Sequence, residues 1–142
     1  MSSDPKQYAI SVSDIHAAAD RISSYVVRTP AIACETISKR LGCQVIFKAE
    51  NLQHAGAFKS RGAINAVMSL GDDVAARGVV AHSSGNHAAA LARAARLRGI
   101  PAHVVMPENA SPKKITAVES YGVQPVFCQP STPDREQAAE NL

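Results

Sequence analysis

The sequence predicts an α/β fold, a parallel sheet with helices on both faces, and three observations predict it. From Gly78 onward, short β-branched runs alternate with longer helical runs. The connections between them are too short for anything except repeated crossovers, which place the strands parallel and make each crossover right-handed. Glycines at 42, 99 and 122 fall just past helical runs, where a left-handed residue ends a helix.

Taken in order, Ser13 is expected to cap a helix reaching about Tyr25, with Ile15, Ala18, Ala19 and Ile22 at amphipathic spacing. Thr29-Pro30 blocks its continuation. A short helix from Glu35 to Leu41 stops at Gly42, and Q-V-I-F-K-A-E at 44–50 has the content of a strand. Ser60 to Leu70 returns to helical spacing through Ile64, Val67, Met68 and Leu70. Then G-V-V-A-H predicts a strand, and S-S-G-N-H opens a helix ending at Gly99. A-H-V-V-M is the next strand, closed by Pro107, before a helix from about Ser111 with Pro112 in its first turn. Q-P-V-F-C supplies the final strand, and a last helix starts near Thr132. That helix stops in mid-pattern at Leu142 without a cap, which reads as a chain cut short of its natural length.

Composition narrows the function. The net charge of +3 is modest, the chain has no Trp, and its three Phe and three Tyr supply no stacking platform, so nucleic-acid binding is not expected. Arg93, Arg96 and Arg98 form the only local basic cluster and read as one solvated helix face. The start, M-S-S-D-P-K-Q-Y, lacks the apolar core of a signal peptide, and no apolar run approaches membrane-spanning length. Cys34, Cys43 and Cys128 are odd in number, far apart and without a C-x-x-C pair, the pattern of reduced thiols. A cytoplasmic protein without membrane contact is the expectation.

Two stretches carry chemistry. S-S-G-N-H, residues 83–87, joins a strand to a helix N-terminus, where free N–H groups and the positive end of the macrodipole favour an anion. Ser and Asn are also ordinary capping residues, so an anion site and a plain cap both remain open for this motif alone. Only one glycine is present and G-x-G-x-x-G is absent, which disfavours a dinucleotide site. His82 and His87 lack a third partner for a metal, and no metal site is expected. G-A-F-K-S-R-G-A, residues 56–63, places Lys59 near a helix start, where a cation opposes the dipole. A lysine near a helix start is ordinarily just solvated. An amine placed there against the field also suits imine formation with a carbonyl, above all that of pyridoxal phosphate.

Together, A-E-N-L-Q-H-A-G-A-F-K-S-R-G-A-I-N-A-V and A-H-S-S-G-N-H-A-A-A-L-A closely resemble the serine/threonine dehydratase and serine racemase family. These are pyridoxal-phosphate enzymes of the tryptophan-synthase β-like fold, and the resemblance runs from about Ser11 to the end. By that resemblance Lys59 is the Schiff-base lysine on a loop, Phe58 packs on the cofactor ring and Asn86 bonds the ring hydroxyl. Ser83 and His87 hold the substrate carboxylate, and Ser84 exchanges the α-proton on the opposite ring face. Residues 1–77 correspond to the start of the large domain and 78–142 to the small domain.

The resemblance also implies pyridoxal 5'-phosphate as cofactor, a small amino acid as substrate and a homodimer in full-length form. Its reaction is α,β-elimination of water from L-serine, L-threonine or 3-hydroxyaspartate, with serine racemisation as a second activity. The alternative is a truncated, inert fragment acting as an assembly or ligand-binding module. Three features depart from the family pattern. Ala55 stands where Thr or Ser is frequent, Ala89 stands where Gln is common, and no glycine-rich phosphate cradle is present.

Overall fold

Each strand–helix alternation after Gly78 folds as the pattern predicts, and the computed structural model describes residues 9–142. Its elements are α1 (Val12–Ile22), β1 (Ala31–Ala33), α2 (Glu35–Leu41), β2 (Ile46–Lys48), α3 (Lys59–Ser69), α4 (Asp72–Ala75) and β3 (Val79–His82). They continue with α5 (Asn86–Arg98), β4 (Ala102–Pro107), α6 (Pro112–Glu119), β5 (Val126–Cys128) and α7 (Thr132–Glu140). Two short 3-10 turns, Glu50–Leu52 and His54–Gly56, lead from β2 into α3.

β3, β4 and β5 form a parallel sheet in that order, with Val80 opposite His103 and Val105 opposite Val126. Val104 and Met106 of β4 face α5 and α6, packing with Ala88, Ala92 and Val118. Val105 points the other way and is also fully buried. α7 covers that second face, touching all three strands. Helices therefore lie on both faces, as predicted.

α5 is the hub. Seven of its residues, six of them alanine, are buried, because α3, α6, β3 and β4 all pack around it. Small side chains permit that crowding. A second cluster joins Ala90, Leu91 and Ala94 of α5 to Ala63, Ile64 and Val67 of α3 and Ile22 of α1.

Several local expectations differ from the structure. Ser11, not Ser13, caps α1, because Asp14 lies three residues beyond Ser11 and returns a bond to its N–H at 2.8 Å, closing a capping box. The strand expected over 44–50 is confined to Ile46–Lys48. It pairs antiparallel with β1, which its A-I-A sequence did not announce, and stands apart from the parallel sheet. Arg93, Arg96 and Arg98 are not one solvated face. Arg93 donates to the Tyr25 carbonyl at 2.8 Å and Arg96 to the Ser120 carbonyl at 3.1 Å. Arg98 reaches the carbonyls of Val67 and Leu70. Each arginine thus serves carbonyls at or just past the C-terminal end of a different helix, α1, α6 and α3.

Candidate active site

The Lys59 region begins with a turn in unusual geometry. Ala55 has φ 54° and Gly56 φ 66°, so two consecutive residues adopt left-handed backbone before Ala57 returns to extended structure. Phe58 is the N-cap of α3 and supplies no side-chain cap. Lys59 is the first residue of the helix. The expectation of a loop-borne lysine is corrected by one position, since Phe58 already has helical φ/ψ. Its amine lies 5.2 Å from the centroid of the Phe58 ring, a cation–π distance, and both side chains are exposed.

The second motif meets it from the side. Ser83 continues β3 by donating its N–H to the Val105 carbonyl at 3.0 Å, and Ser84 and Gly85 turn the chain into α5. Gly85 is the N-cap and offers no side chain, so no side-chain oxygen covers the first-turn amides of this 13-residue helix. Nothing lies within 4 Å of where a Gly85 Cβ would stand, so the turn is open. Ser83, Ser84 and His87 are half-buried and Asn86 is exposed. Burial, and secondarily the charge of Lys59, holds the His87 imidazole below its ordinary pKa.

The two motifs also meet through packing, since the 3-10 turn that leads into α3 lies against α5, with Ala55 on the cluster of Ala88, Ala89 and Ala92. α3 and α5 start together, and at their far ends Arg98 of α5 bonds the last carbonyls of α3. The two helices therefore run parallel, with their positive dipole ends on the same side and Lys59 as the first residue of α3. Such an arrangement is electrostatically unfavourable until an anion joins it.

Concavities separate chemistry from shape. A surface depression of about 580 Å³ is lined by Ala33, Glu35, Ser38 and Cys43 beside α2 and includes no motif residue. A smaller one of about 270 Å³ runs between α3, β3 and α5, and His87 lines it.

One polar network beside Lys59 was not anticipated. Arg61 donates to both oxygens of Glu50, at 2.9 and 2.7 Å, and to the Val27 carbonyl at 3.1 Å. Thr29 donates to Glu50 at 2.5 Å. Chiefly the Arg61 bond, with help from Thr29, lowers the Glu50 pKa to about 2. Gln53, itself buried, bonds both the N–H and the carbonyl of Val27. The available signal was a first helical turn reading K-S-R with no acid to offset its dipole.

Among the described residues no His/Cys/Asp/Glu group is placed to hold a metal, and no helix is long and apolar enough to cross a membrane. An exposed amine, open helix N–H groups and the Asn86 amide suit a ligand that carries a carbonyl beside anionic groups. The sequence signature of the family described as "Pyridoxal-phosphate dependent enzyme" matches residues 22–142. The chain is 47% identical over 135 residues to the serine racemase of Oryza sativa subsp. indica, covering 95% of this chain and 40% of that protein. It is 46% identical over 129 residues to the L-threo-3-hydroxyaspartate ammonia-lyase of Saccharomyces cerevisiae, covering 91% and 40%. Maize serine racemase superposes with a TM-score of 0.88 at 46% identity, over 94% of this chain and 41% of that one. The chain thus spans about two fifths of the length of the relatives it matches.

Proposed function

The chain belongs to the pyridoxal-phosphate dependent enzyme family and has its tryptophan-synthase β-like fold, and from that premise we propose that it carries the covalent-attachment half of an ammonia-lyase or racemase site. The convergence of Lys59 with the open N-terminus of α5 is the observation that carries this reading. Pyridoxal phosphate, when bound, supplies the electron sink for carbanion chemistry at the substrate α-carbon. The protein's own residues do the rest. Lys59 provides the attaching amine and then accepts the α-proton at its Nζ. Phe58 presents its exposed ring beside that amine as a packing surface, and the Asn86 amide bonds the ring hydroxyl.

Ser83, His87 and the first-turn amides of α5 orient the substrate carboxylate. His87 suits this role because its depressed pKa keeps a neutral donor beside Lys59. Ser84 would face the other side of a bound cofactor ring, where its hydroxyl would exchange the α-proton that racemisation requires. Hydroxy amino acids of the serine, threonine and 3-hydroxyaspartate type are the substrates, with water as the leaving group. Residues 1–77 form the large-domain part, and 78–142 the small domain. The full-length protein acts as a cytoplasmic homodimer.

An inert assembly or ligand-binding module is the competing reading, favoured by the exposed apolar face of β1 and β2. One experiment separates the two. The chain is incubated with pyridoxal phosphate, reduced with borohydride and mapped by peptide mass spectrometry, followed by an oxoacid assay with L-serine and L-threo-3-hydroxyaspartate. We expect attachment at Lys59, weak overall binding and no turnover by these 142 residues alone. No glycine-rich phosphate cradle is present in the sequence, and losing even two charge-assisted bonds costs about 3–6 kcal/mol. Attachment spread evenly over the exposed lysines would overturn the assignment of Lys59. A Ser84→Ala variant in full-length form should lose serine racemisation far more than elimination, and equal losses would argue for a general binding role.

A further inference from the structure

The first turn of α3 lacks every local device that usually starts a helix. Its N-cap, Phe58, has no side-chain oxygen to give, no acidic residue occupies the turn, and Lys59 and Arg61 both oppose the dipole. The residues around Lys59 are nevertheless tied down by distant partners. Ser60 is completely buried and donates its hydroxyl to the His54 carbonyl at 2.5 Å, fixing the left-handed Ala55-Gly56 turn. Arg61 forks onto Glu50 and takes the Val27 carbonyl, while Gln53 closes both polar groups of Val27. Glu50 supplies from outside the helix the negative charge that the turn itself does not carry. Lys59 stands within this stretch, and among the described residues its side chain meets the Phe58 ring alone.

We propose that Glu50 and Arg61, supported by Thr29, are positioning residues that aim the Lys59 amine. By locking the start of α3 to the 27–29 segment they fix the direction in which the Lys59 side chain leaves the helix. The proposal rests on the reading of Lys59 as the cofactor-attaching amine. A bidentate pair suits the task because its planar fork fixes direction as well as distance, and a misplacement of about 1 Å at a reacting atom can cost about a hundredfold in rate.

The test uses the full 142-residue chain, its Arg61→Met and Glu50→Gln variants, and Thr29→Val. Each is incubated with pyridoxal phosphate at matched protein stability, set by adjusting temperature to the same interval below each midpoint. The Lys59 amine condenses with the aldehyde with loss of one water, and borohydride reduces the product to a secondary amine that peptide mapping locates. The readout is the rate of attachment at Lys59 relative to Lys113, an exposed lysine on α6 that serves as internal reference. Hydrogen exchange at residues 54–60, measured without cofactor, is the second readout. Arg61→Met is expected to lower the Lys59 to Lys113 ratio about tenfold. Glu50→Gln, which keeps an acceptor but no charge, should lower it about threefold. Both should speed exchange at 54–60.

A purely structural role would lower the midpoint and leave the ratio at its original value, and that result overturns the proposal. Should Arg61→Met not fold, Glu50→Gln and Thr29→Val decide by the same ratio. If the unaltered chain shows no preference for Lys59, the functional reading fails and this proposal falls with it. Preference in the unaltered chain with an unchanged ratio in the variants sinks the positioning role alone.

Discussion

The two sheets of this protein share a sequence style and differ in fate. β4, central in the parallel sheet, buries Val104, Val105 and Met106 completely. Both strands of the β1–β2 ribbon, with Ile32, Ile46 and Phe47, are exposed at every position. In the parallel sheet it is β4 that is enclosed, by α5 and α6 on one face and α7 on the other, while Val80 of β3 and Val126 and Phe127 of β5 stay exposed at its edges. The ribbon is held by its backbone ladder and by polar ties, such as the Lys48 amine on the Thr29 carbonyl at 2.5 Å. Apolar composition alone does not make a core strand. A strand becomes core only when helices arrive on both faces.

The largest expected effect breaks the closed side of that comparison. Met106→Ala should destabilise by about 2–5 kcal/mol in urea unfolding, through lost burial and a residual cavity. Phe47→Ser on the ribbon should stay within about 0.5 kcal/mol of the unaltered chain and reduce self-association in sedimentation. Comparable losses from both would show that the ribbon is covered in solution.

Arg98→Met tests how the hub helix binds its surroundings, because that guanidinium serves two α3 carbonyls and Asp72. A loss of about 2 kcal/mol in the same assay is expected, most of it from the lost bonds to the Val67 and Leu70 carbonyls, of which Val67 keeps only the long 3.4 Å bond from the Leu70 N–H. A change below about 0.5 kcal/mol would mean that water replaces the arginine there.

The ribbon side can be sharpened by pH. The Glu50 pKa is depressed to about 2 by Arg61 and Thr29. The stabilisation is therefore fully present above the ordinary carboxylate pKa, and is lost as pH falls from about 4.5 towards 2. Urea midpoints of the unaltered chain should drop across that window, and those of Glu50→Gln should drop less. Parallel curves would show that the ion pair is broken in solution.

Ala55→Gly should raise stability by about 0.5–1 kcal/mol, because a glycine holds a φ of 54° without steric cost. Unchanged or lower stability would mean that the extra freedom of the unfolded chain cancels the gain. The smallest effect concerns His87. Lys59→Gln should move its pKa upward in an NMR titration yet leave it below the ordinary value, since burial is the larger cause. No movement would separate the two motifs in space.

Much of this was written locally in the chain. Gly42, Gly99 and Gly122 end or follow helices in left-handed backbone at φ 68°, 72° and 84° because only glycine adopts it without strain. Strand–helix alternation after Gly78 allowed only parallel strands with right-handed crossovers, and the two motifs were legible because their residue types and spacing sit in consecutive positions. Tertiary structure alone decided where long side chains go. Spacing placed Arg93, Arg96 and Arg98 on one helix, but neighbouring helix ends, unknown to any local rule, turned each towards a different set of carbonyls. The same holds for Arg61 and Glu50, eleven residues apart in sequence and 2.7 Å apart in space. Capping and turn rules act within about four residues, whereas a guanidinium bonds whatever the packing of whole elements brings within its reach.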